Sequence, residues 1–293
     1  MSCAVAAFSD ESERGQALAR ALGAPFAPIN VHRFPEGETM PTVSAPASET
    51  TVLYRSLDRP NRKLADLLLA ADAFRRAGVR RLILVAPYFC YLRQDAVFAP
   101  GQPLSRDVIG PLIGTRFSAV ITVQAHLHRT SDLAAALGTR ALNLSPIEPL
   151  AAALPEEDRP IIVGPDVESK PWVEAWARRL AGRAVVLHKT RRSDDQVSVE
   201  RPPMDVAGRS VVIVDDVASS GGTLARAAAL VHKAGASSID VAVVHALTSG
   251  PATQRILNAG ARRIVSTDSV PHPTNVAKLA PMLADAVRQA LAA

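Results

Sequence analysis

Cysteine, aromatic side chains and long apolar runs are all scarce in this chain. The two cysteines, Cys3 and Cys90, show no metal or redox spacing. That excludes a zinc framework or disulfide scaffold and leaves two reduced thiols of a cytoplasmic protein as the expectation. Aromatic residues make up only 4% of the sequence, and its Lys and Arg residues are dispersed. No zinc-finger or helix-turn-helix spacing accompanies them. The net charge of +5 is therefore read as suited to small anionic substrates, with no nucleic acid expected. No apolar run is long enough to span a bilayer, so no membrane partner is expected. The opening Met1-Ser-Cys-Ala-Val-Ala-Ala-Phe8 lacks a basic start and is expected to form a first strand, not a signal peptide.

What the chain does have is an alternation of short apolar strands and amphipathic helices. Strands are predicted at Thr51–Tyr54, Arg81–Val85, Ala119–Val123, Pro160–Val163, Ala184–Leu187, Ser210–Val214, Ser238–Val244 and Arg263–Ser266. Helices are predicted at Glu11–Leu22, Arg62–Ala77, Asp132–Ala136, Pro171–Arg179, Leu224–Ala234, Ala252–Ala259 and Val276–Leu291. This order predicts an α/β fold with parallel sheets covered on both faces. A length of 293 residues accommodates one large core or two ordinary ones. The Pro-, Ala- and acid-rich run Ile147–Arg159 is the expected hinge, dividing residues 1–148 from 149–293. Both halves carry a helix, an Ala-Gly, a basic or small spacer and an apolar strand (Phe74 to Val85; Val231 to Val244). A small antiparallel flag is expected at Asn30–Val43 or Lys189–Met204.

The richest stretch is Val211-Val-Ile-Val-Asp215-Asp216-Val-Ala-Ser219-Ser220-Gly221-Gly222-Thr223-Leu224. A buried strand delivers two carboxylates to its end, and a small hydroxyl-rich turn opens a helix. Adjacent acids there are costly unless solvated or liganded. They suit vicinal sugar hydroxyls or a metal, and the turn suits a phosphate. The plainer alternative is an ordinary strand-to-helix junction capped by Ser219. No Lys follows the glycines, so this is not a Gly-x-x-x-x-Gly-Lys-Ser/Thr nucleotide loop. Each remaining motif also has a plain reading when taken alone: an aromatic core patch beside Arg93, a turn at Phe34–Glu38, polar strand ends at His126 and His128, a loop acid at Asp166, and a solvated basic turn at Lys189.

In combination these motifs carry a resemblance. The Asp215–Thr223 stretch resembles the phosphoribosyl-diphosphate motif of the type I phosphoribosyltransferase fold. Pro87-Tyr-Phe-Cys-Tyr-Leu-Arg93-Gln94-Asp95 resembles the signature of ribose-phosphate diphosphokinases, and the Phe34-Pro-Glu36-Gly37-Glu38 loop is similar to that family's Phe-Pro-Asp-Gly-Glu. Gln124-Ala-His126-Leu-His128, Gly164-Pro-Asp166 and Lys189-Thr-Arg191 follow in family order. The resemblance spans nearly the whole chain, to Ser266-Thr-Asp-Ser-Val-Pro-His-Pro. It departs at Ser219-Ser-Gly-Gly-Thr223, where typical members have acid-Thr-Ala-Gly-Thr, and at Ala96 and Val97, which replace basic residues. His126 stands where an Asp is usual. These departures resemble a divergent, archaeal-like subgroup.

The resemblance implies two phosphoribosyltransferase-like domains, each a mostly parallel sheet flanked by helices. It implies ATP and ribose 5-phosphate as substrates and Mg²⁺ as cofactor, with His128 and Asp166 at the metal. Lys189 and Arg191 would be catalytic on a mobile flap. Arg191, Asp215, Asp216, Ser219, Ser220, Gly221, Gly222 and Thr223 would hold ribose 5-phosphate. Phe34, Glu36, Gly37, Glu38, Arg93 and Gln94 would hold ATP, the Phe34 loop coming from a neighbouring subunit of a homo-oligomer. A phosphoribosyltransferase consuming the diphosphate has no use for Arg93-Gln94 or the Phe34 loop. A non-catalytic regulatory homologue would be expected to lose the cations at Lys189 and Arg191.

Overall fold

β-Branched runs without interruption cannot leave one face in water, so each must sit inside a covered sheet. The computed structural model describes residues 3–44, 48–97, 99–127, 132–193, 196–200 and 205–292, with backbone alone for 188–193 and 196–200. The chain divides into two compact units, Met1–Ser145 with Leu279–Ala293, and Pro146–Lys278.

The first unit runs β1 (Ala4–Phe8), α1 (Ser12–Leu22), β2 (Phe26–Arg33), β3 (Thr39–Thr42), β4 (Thr50–Tyr54), α2 (Pro60–Arg76), β5 (Arg81–Val85), α3 (Ser105–Gly114), β6 (Ala119–Val123), α4 (Leu133–Leu137) and β7 (Arg140–Leu144). Its seven strands lie in the order β3-β2-β1-β4-β5-β6-β7. All pair in parallel except β2 with β3. β1, β4 and β6 are buried along their whole length. Each fully buried Val, Leu or Ile there contributes on the order of 1.5–3 kcal/mol.

The second unit runs α5 (Ile147–Ala151), β8 (Ile161–Gly164), α6 (Lys170–Arg179), β9 (Arg183–Val186), β10 (His188–Ser193), β11 (Gln196–Glu200), β12 (Ser210–Ala218), α7 (Gly222–Lys233), β13 (Ser238–Ala246), α8 (Gly250–Asn258), β14 (Arg263–Thr267) and β15 (Asn275–Ala277). Six strands form a parallel sheet in the order β15-β14-β13-β12-β8-β9. β10 and β11 form a separate antiparallel ribbon. Both regions expected to hold a flag therefore do so: β2–β3 in one unit, β10–β11 in the other.

The final helix, α9 (Ala280–Ala292), packs on α1 of the first unit. The division expected after residue 148 places it with the second half, but it groups with the first unit. It also starts later than Val276, because Asn275–Ala277 adds the edge strand β15 beside β14. Arg81 anchors it by donating to the Ala290 and Leu291 carbonyls at 2.5 and 3.2 Å. The stretch Ile147–Arg159, expected as a hinge, begins with α5, which belongs to the second unit.

Helix α3 was not among the predicted helices, since Gly110, Pro111 and Gly114 read as breakers. Those glycines have a packing purpose. A methyl group added at Gly110 would overlap the Ala136 carbonyl oxygen, and one at Gly114 the Leu137 carbonyl oxygen. Only bare backbone lets α3 lie so close to α4. Gly114→Ala is expected to destabilise the first unit by about 1–3 kcal/mol. Urea unfolding checks this, as a lower midpoint at unchanged slope.

Candidate active site

In an open α/β sheet, ligands gather beyond the carboxyl ends of strands where the winding direction reverses. In the second unit the chain places β9 on one side of β8 and then β12 on the other, so the reversal lies between β8 and β12. Asp166 follows β8, and Asp215 and Asp216 lie near the end of β12. The strand continues past the predicted Val214, pairing through Ala218 with Ala246 of β13. Asp216 donates its N–H to Asp215 Oδ1 at 3.0 Å. Burial pushes the Asp215 carboxyl well above the usual carboxylate range, and the neighbouring Asp216 and Asp166 push it further the same way. The three acids thus follow the ends of two paired neighbouring strands at the reversal point.

Beside them, Ser219 and Ser220 are exposed and α7 opens at Gly222. The helix cap is Gly221, not Ser219 as the simpler sequence reading had it, and no side chain caps the helix. Gly221 has φ +72°, and a Cβ there would stand 3.1 Å from the Ala252 carbonyl oxygen and 3.3 Å from Ile256 Cδ1. The loop is thus pressed against α8 in a left-handed conformation natural to glycine. Gly222 N–H faces Ser220 Oγ at 3.4 Å. The remaining first-turn amides sit at a helix N-terminus, where the helix dipole favours an anion. Arg226, one turn further, lies near Gly222 and adds a cation to this loop. Sequence reading passed over it, though a basic residue four positions after the second glycine is a visible signal.

Lys189 and Arg191 lie on β10, opposite Val199 and Val197 of β11. They stand two positions apart in the ladder. His128 lies outside the described residues. His126 is half-buried after β6.

In the first unit, Phe34–Glu38 is the tip of the β2–β3 hairpin. Gly37 donates to the Phe34 carbonyl and Phe34 to the Glu38 carbonyl, both at 3.0 Å. Glu36, Gly37 and Glu38 are exposed, and His32 sets its ring edge-on to Phe34 at 4.6 Å. Arg93 and Gln94 follow β5 instead. Gln94 Oε1 accepts from Ser105 Oγ, and the Gln94 carbonyl accepts from Arg106 N–H at 3.4 Å, which ties this loop to the start of α3. Tyr91, at φ +61°, turns the chain ahead of the exposed Arg93, an uncommon conformation for a bulky residue. Its hydroxyl donates to Asn61 Oδ1 at 2.5 Å. β1 and β4 lie between β2 and β5, so within one unit the hairpin and the Arg93 loop hang from strands about 14 Å apart.

Burial pushes the Cys90 thiol up to about 12. Both cysteines are buried and free, so neither offers a nucleophile. Among the described residues, no helix is long and apolar enough to cross a membrane.

A parallel sheet with acids and a glycine-rich helix start at its reversal point is the arrangement of a ligand-binding α/β domain. The model for the phosphoribosyl transferase domain matches residues 147–277, and that for the N-terminal domain of ribose phosphate pyrophosphokinase matches residues 3–115. The ribose-phosphate pyrophosphokinase of Methanopyrus kandleri is 34% identical over 288 residues, covering 97% of this chain and 98% of its own. That of Aeropyrum pernix is 32% identical over 271 residues, covering 90% and 87%. A phosphoribosylpyrophosphate synthetase crystal structure from Mycobacterium smegmatis superposes with a TM-score of 0.85 at 23% identity, over 100% of this chain and 99% of that one. The chain belongs to the ribose-phosphate pyrophosphokinase family.

Proposed function

We propose that this protein transfers the diphosphoryl group of ATP to the anomeric hydroxyl of ribose 5-phosphate, giving AMP and 5-phosphoribosyl 1-diphosphate. The observation that carries the proposal is the meeting of Asp166, Asp215 and Asp216 beside the Gly221-Gly222 loop. Carboxylates for hydroxyls and amides for a phosphate stand next to each other at one helix start.

In this reading Ser219, Ser220, Gly221, Gly222 and Thr223 hold the 5-phosphate, and Asp215 and Asp216 accept from the ribose hydroxyls. Arg93 and Gln94 hold the nucleotide of the same subunit's site. Phe34, Glu36, Gly37 and Glu38 close it from a neighbouring copy, which explains why the two loops hang from separated strands of one sheet. A homo-oligomer follows. The anomeric oxygen attacks the β-phosphorus in line. Its bond to phosphorus forms as the bond from the β-phosphorus to the bridging oxygen of AMP breaks, and the hydroxyl proton is released. The protein's contribution is positioning and charge neutralisation. Lys189 and Arg191 neutralise the charge on the transferring group, and Arg191 also reaches the ribose phosphate.

Hard oxygen donors such as Asp166 and its neighbouring carboxylates fit Mg²⁺, which is bound by one or two carboxylates together with substrate phosphates and water. The side chains of Asp166 and His128 would hold it. When bound, Mg²⁺ neutralises phosphate charge. Two buried free thiols suit a reducing compartment, and we place the enzyme in the cytoplasm.

The test is AMP formation from ATP, followed with and without ribose 5-phosphate and with and without Mg²⁺, with the sugar product identified by ³¹P NMR. AMP that requires both additions, in one-to-one yield with a new anomeric diphosphate, is the expected result. Consumption of the diphosphate with a nucleobase, and no AMP from ATP, would replace this reading with a phosphoribosyltransferase.

A further inference from the structure

The reversal point of the first sheet, between β1 and β4, is closed by charges of its own. Arg55, just past β4, is 1% exposed. It stands 2.6 Å from Asp10 Oδ1, 3.2 Å from Glu11 Oε2 and 3.7 Å from Asp66 Oδ2. Lys63 Nζ bridges Asp58 at 2.6 Å and Glu11 at 3.6 Å. None of these residues belongs to the site described above, and one of them reaches out of the cluster.

Asp66 is fully buried on α2, amid Leu64, Leu67, Leu68 and Leu69 in the sequence. Thr39 Oγ1 donates to its Oδ1 at 2.6 Å. Arg33 places a guanidinium nitrogen 3.8 Å from its Oδ2. Arg33 and Thr39 are opposite each other in the β2–β3 ladder, and they are the last pair before the Phe34–Glu38 turn. A single carboxylate, fixed on a long helix and backed by the buried Arg55, thus holds both stems of the loop.

We infer that Asp66 is a positioning residue for the nucleotide: through Thr39 and Arg33 it sets the height and angle at which the Phe34–Glu38 loop is presented to ATP. This rests on the proposed role of that loop. Its physical basis is the entropy of a two-stranded ribbon at a sheet edge. Such a ribbon is weakly held by its own hydrogen bonds, so a loop on its tip needs an outside brace to stay pre-organised.

The mildest variant is Thr39→Val, which keeps shape and β propensity but removes the hydroxyl. Asp66→Asn keeps an acceptor for Thr39 but loses the charge facing Arg33 and Arg55. In steady-state assays of the full-length protein, Thr39→Val is expected to raise the KM for ATP roughly threefold to tenfold. The KM for ribose 5-phosphate and kcat at saturating ATP should stay unchanged, and Thr39→Ser should restore the KM for ATP. Asp66→Asn is expected to move the same parameter further. Without substrates, amide exchange over residues 34–38 should quicken in Thr39→Val while the strands of the second unit keep their protection. If Asp66→Asn fails to fold, Thr39→Val carries the test alone.

An unchanged KM for ATP in Thr39→Val, or equal rises for both substrates, would overturn the inference. Phe34→Ala separates its failure from that of the reading beneath it. If Phe34→Ala raises the KM for ATP and Thr39→Val does not, the loop binds nucleotide and the brace is wrong. If Phe34→Ala also leaves the KM for ATP unchanged, the nucleotide role of the loop falls, and the inference with it.

Discussion

Lys189→Ala is expected to lower the rate of ribose 5-phosphate-dependent AMP release by about 10²–10³-fold, with folding and the KM for ribose 5-phosphate little changed. The reasoning begins with charge. In-line transfer of a diphosphoryl group spreads negative charge over equatorial oxygens, and the protein has little covalent chemistry to perform. A pre-placed cation acting on that charge is then a large part of the barrier lowering. Lys189 and Arg191 lie on the β10–β11 ribbon, which is a separate sheet from the main sheet of its unit. A substitution on a ribbon separate from the main sheet is expected to leave the core strands intact. A quenched-flow or coupled assay of AMP gives kcat, and binding of ribose 5-phosphate by calorimetry gives the affinity. A Lys189→Ala protein within threefold of the unsubstituted rate would remove Lys189 from the chemistry.

Gly221→Val should act on the other substrate. Its effect is expected as a fall of about 10–100-fold in affinity for ribose 5-phosphate, with ATP binding unchanged. The position has φ +72° and ordinary van der Waals room only for hydrogen, since a Cβ would press on the Ala252 carbonyl and Ile256. A β-branched residue in that conformation costs on the order of 1–3 kcal/mol. The loop relieves this by leaving its shape, and each first-turn amide that swings away forfeits a hydrogen bond to a charged phosphate. Calorimetric titration of ribose 5-phosphate and of an unreactive ATP analogue reads the two affinities separately. Equal losses for both ligands would mean that the substitution damages the unit as a whole and not the phosphate loop.

The sequence made the centre of each sheet plain and its margins obscure. Runs such as Arg81–Val85, Ala119–Val123 and Ser210–Val214 are apolar because both faces are buried, and all are strands. β7 has no strand signal and β2 shows only as part of the flag at Asn30–Val43, because both lie toward or at a sheet edge and mix apolar with polar residues, partly exposed along their length. Helix α3 was hidden by glycines that serve contact with α4, a tertiary reason that no local propensity carries. At the site, Asp215, Asp216 and the Gly221-Gly222 turn were legible because adjacent acids at a strand end are costly anywhere else. The approach of Asp166 to them was not legible from composition, since it depends on β8 pairing with β12, which follows it in the chain only after α6, β9 and the β10–β11 ribbon. Asp66 was invisible for the opposite reason. A lone acid within Lys63-Leu-Ala-Asp66-Leu-Leu-Leu resembles a solvated helix position until the β2–β3 hairpin brings Arg33 and Thr39 against it.

The closed reversal point of the first sheet has a consequence for how the protein stays folded. There, carboxylates meet cations supplied by the same unit, so that half is electrostatically finished before any ligand arrives. In the second unit, among the described residues, the neighbours that shift Asp215 are themselves acidic and favour its uncharged form. On the proposed function a cation bound there would relieve this and raise the unit's unfolding free energy with its concentration, whereas the Arg55 cluster needs no added cation. One half of the molecule carries its counter-charges within it, and on the proposed function the other takes them from its ligands.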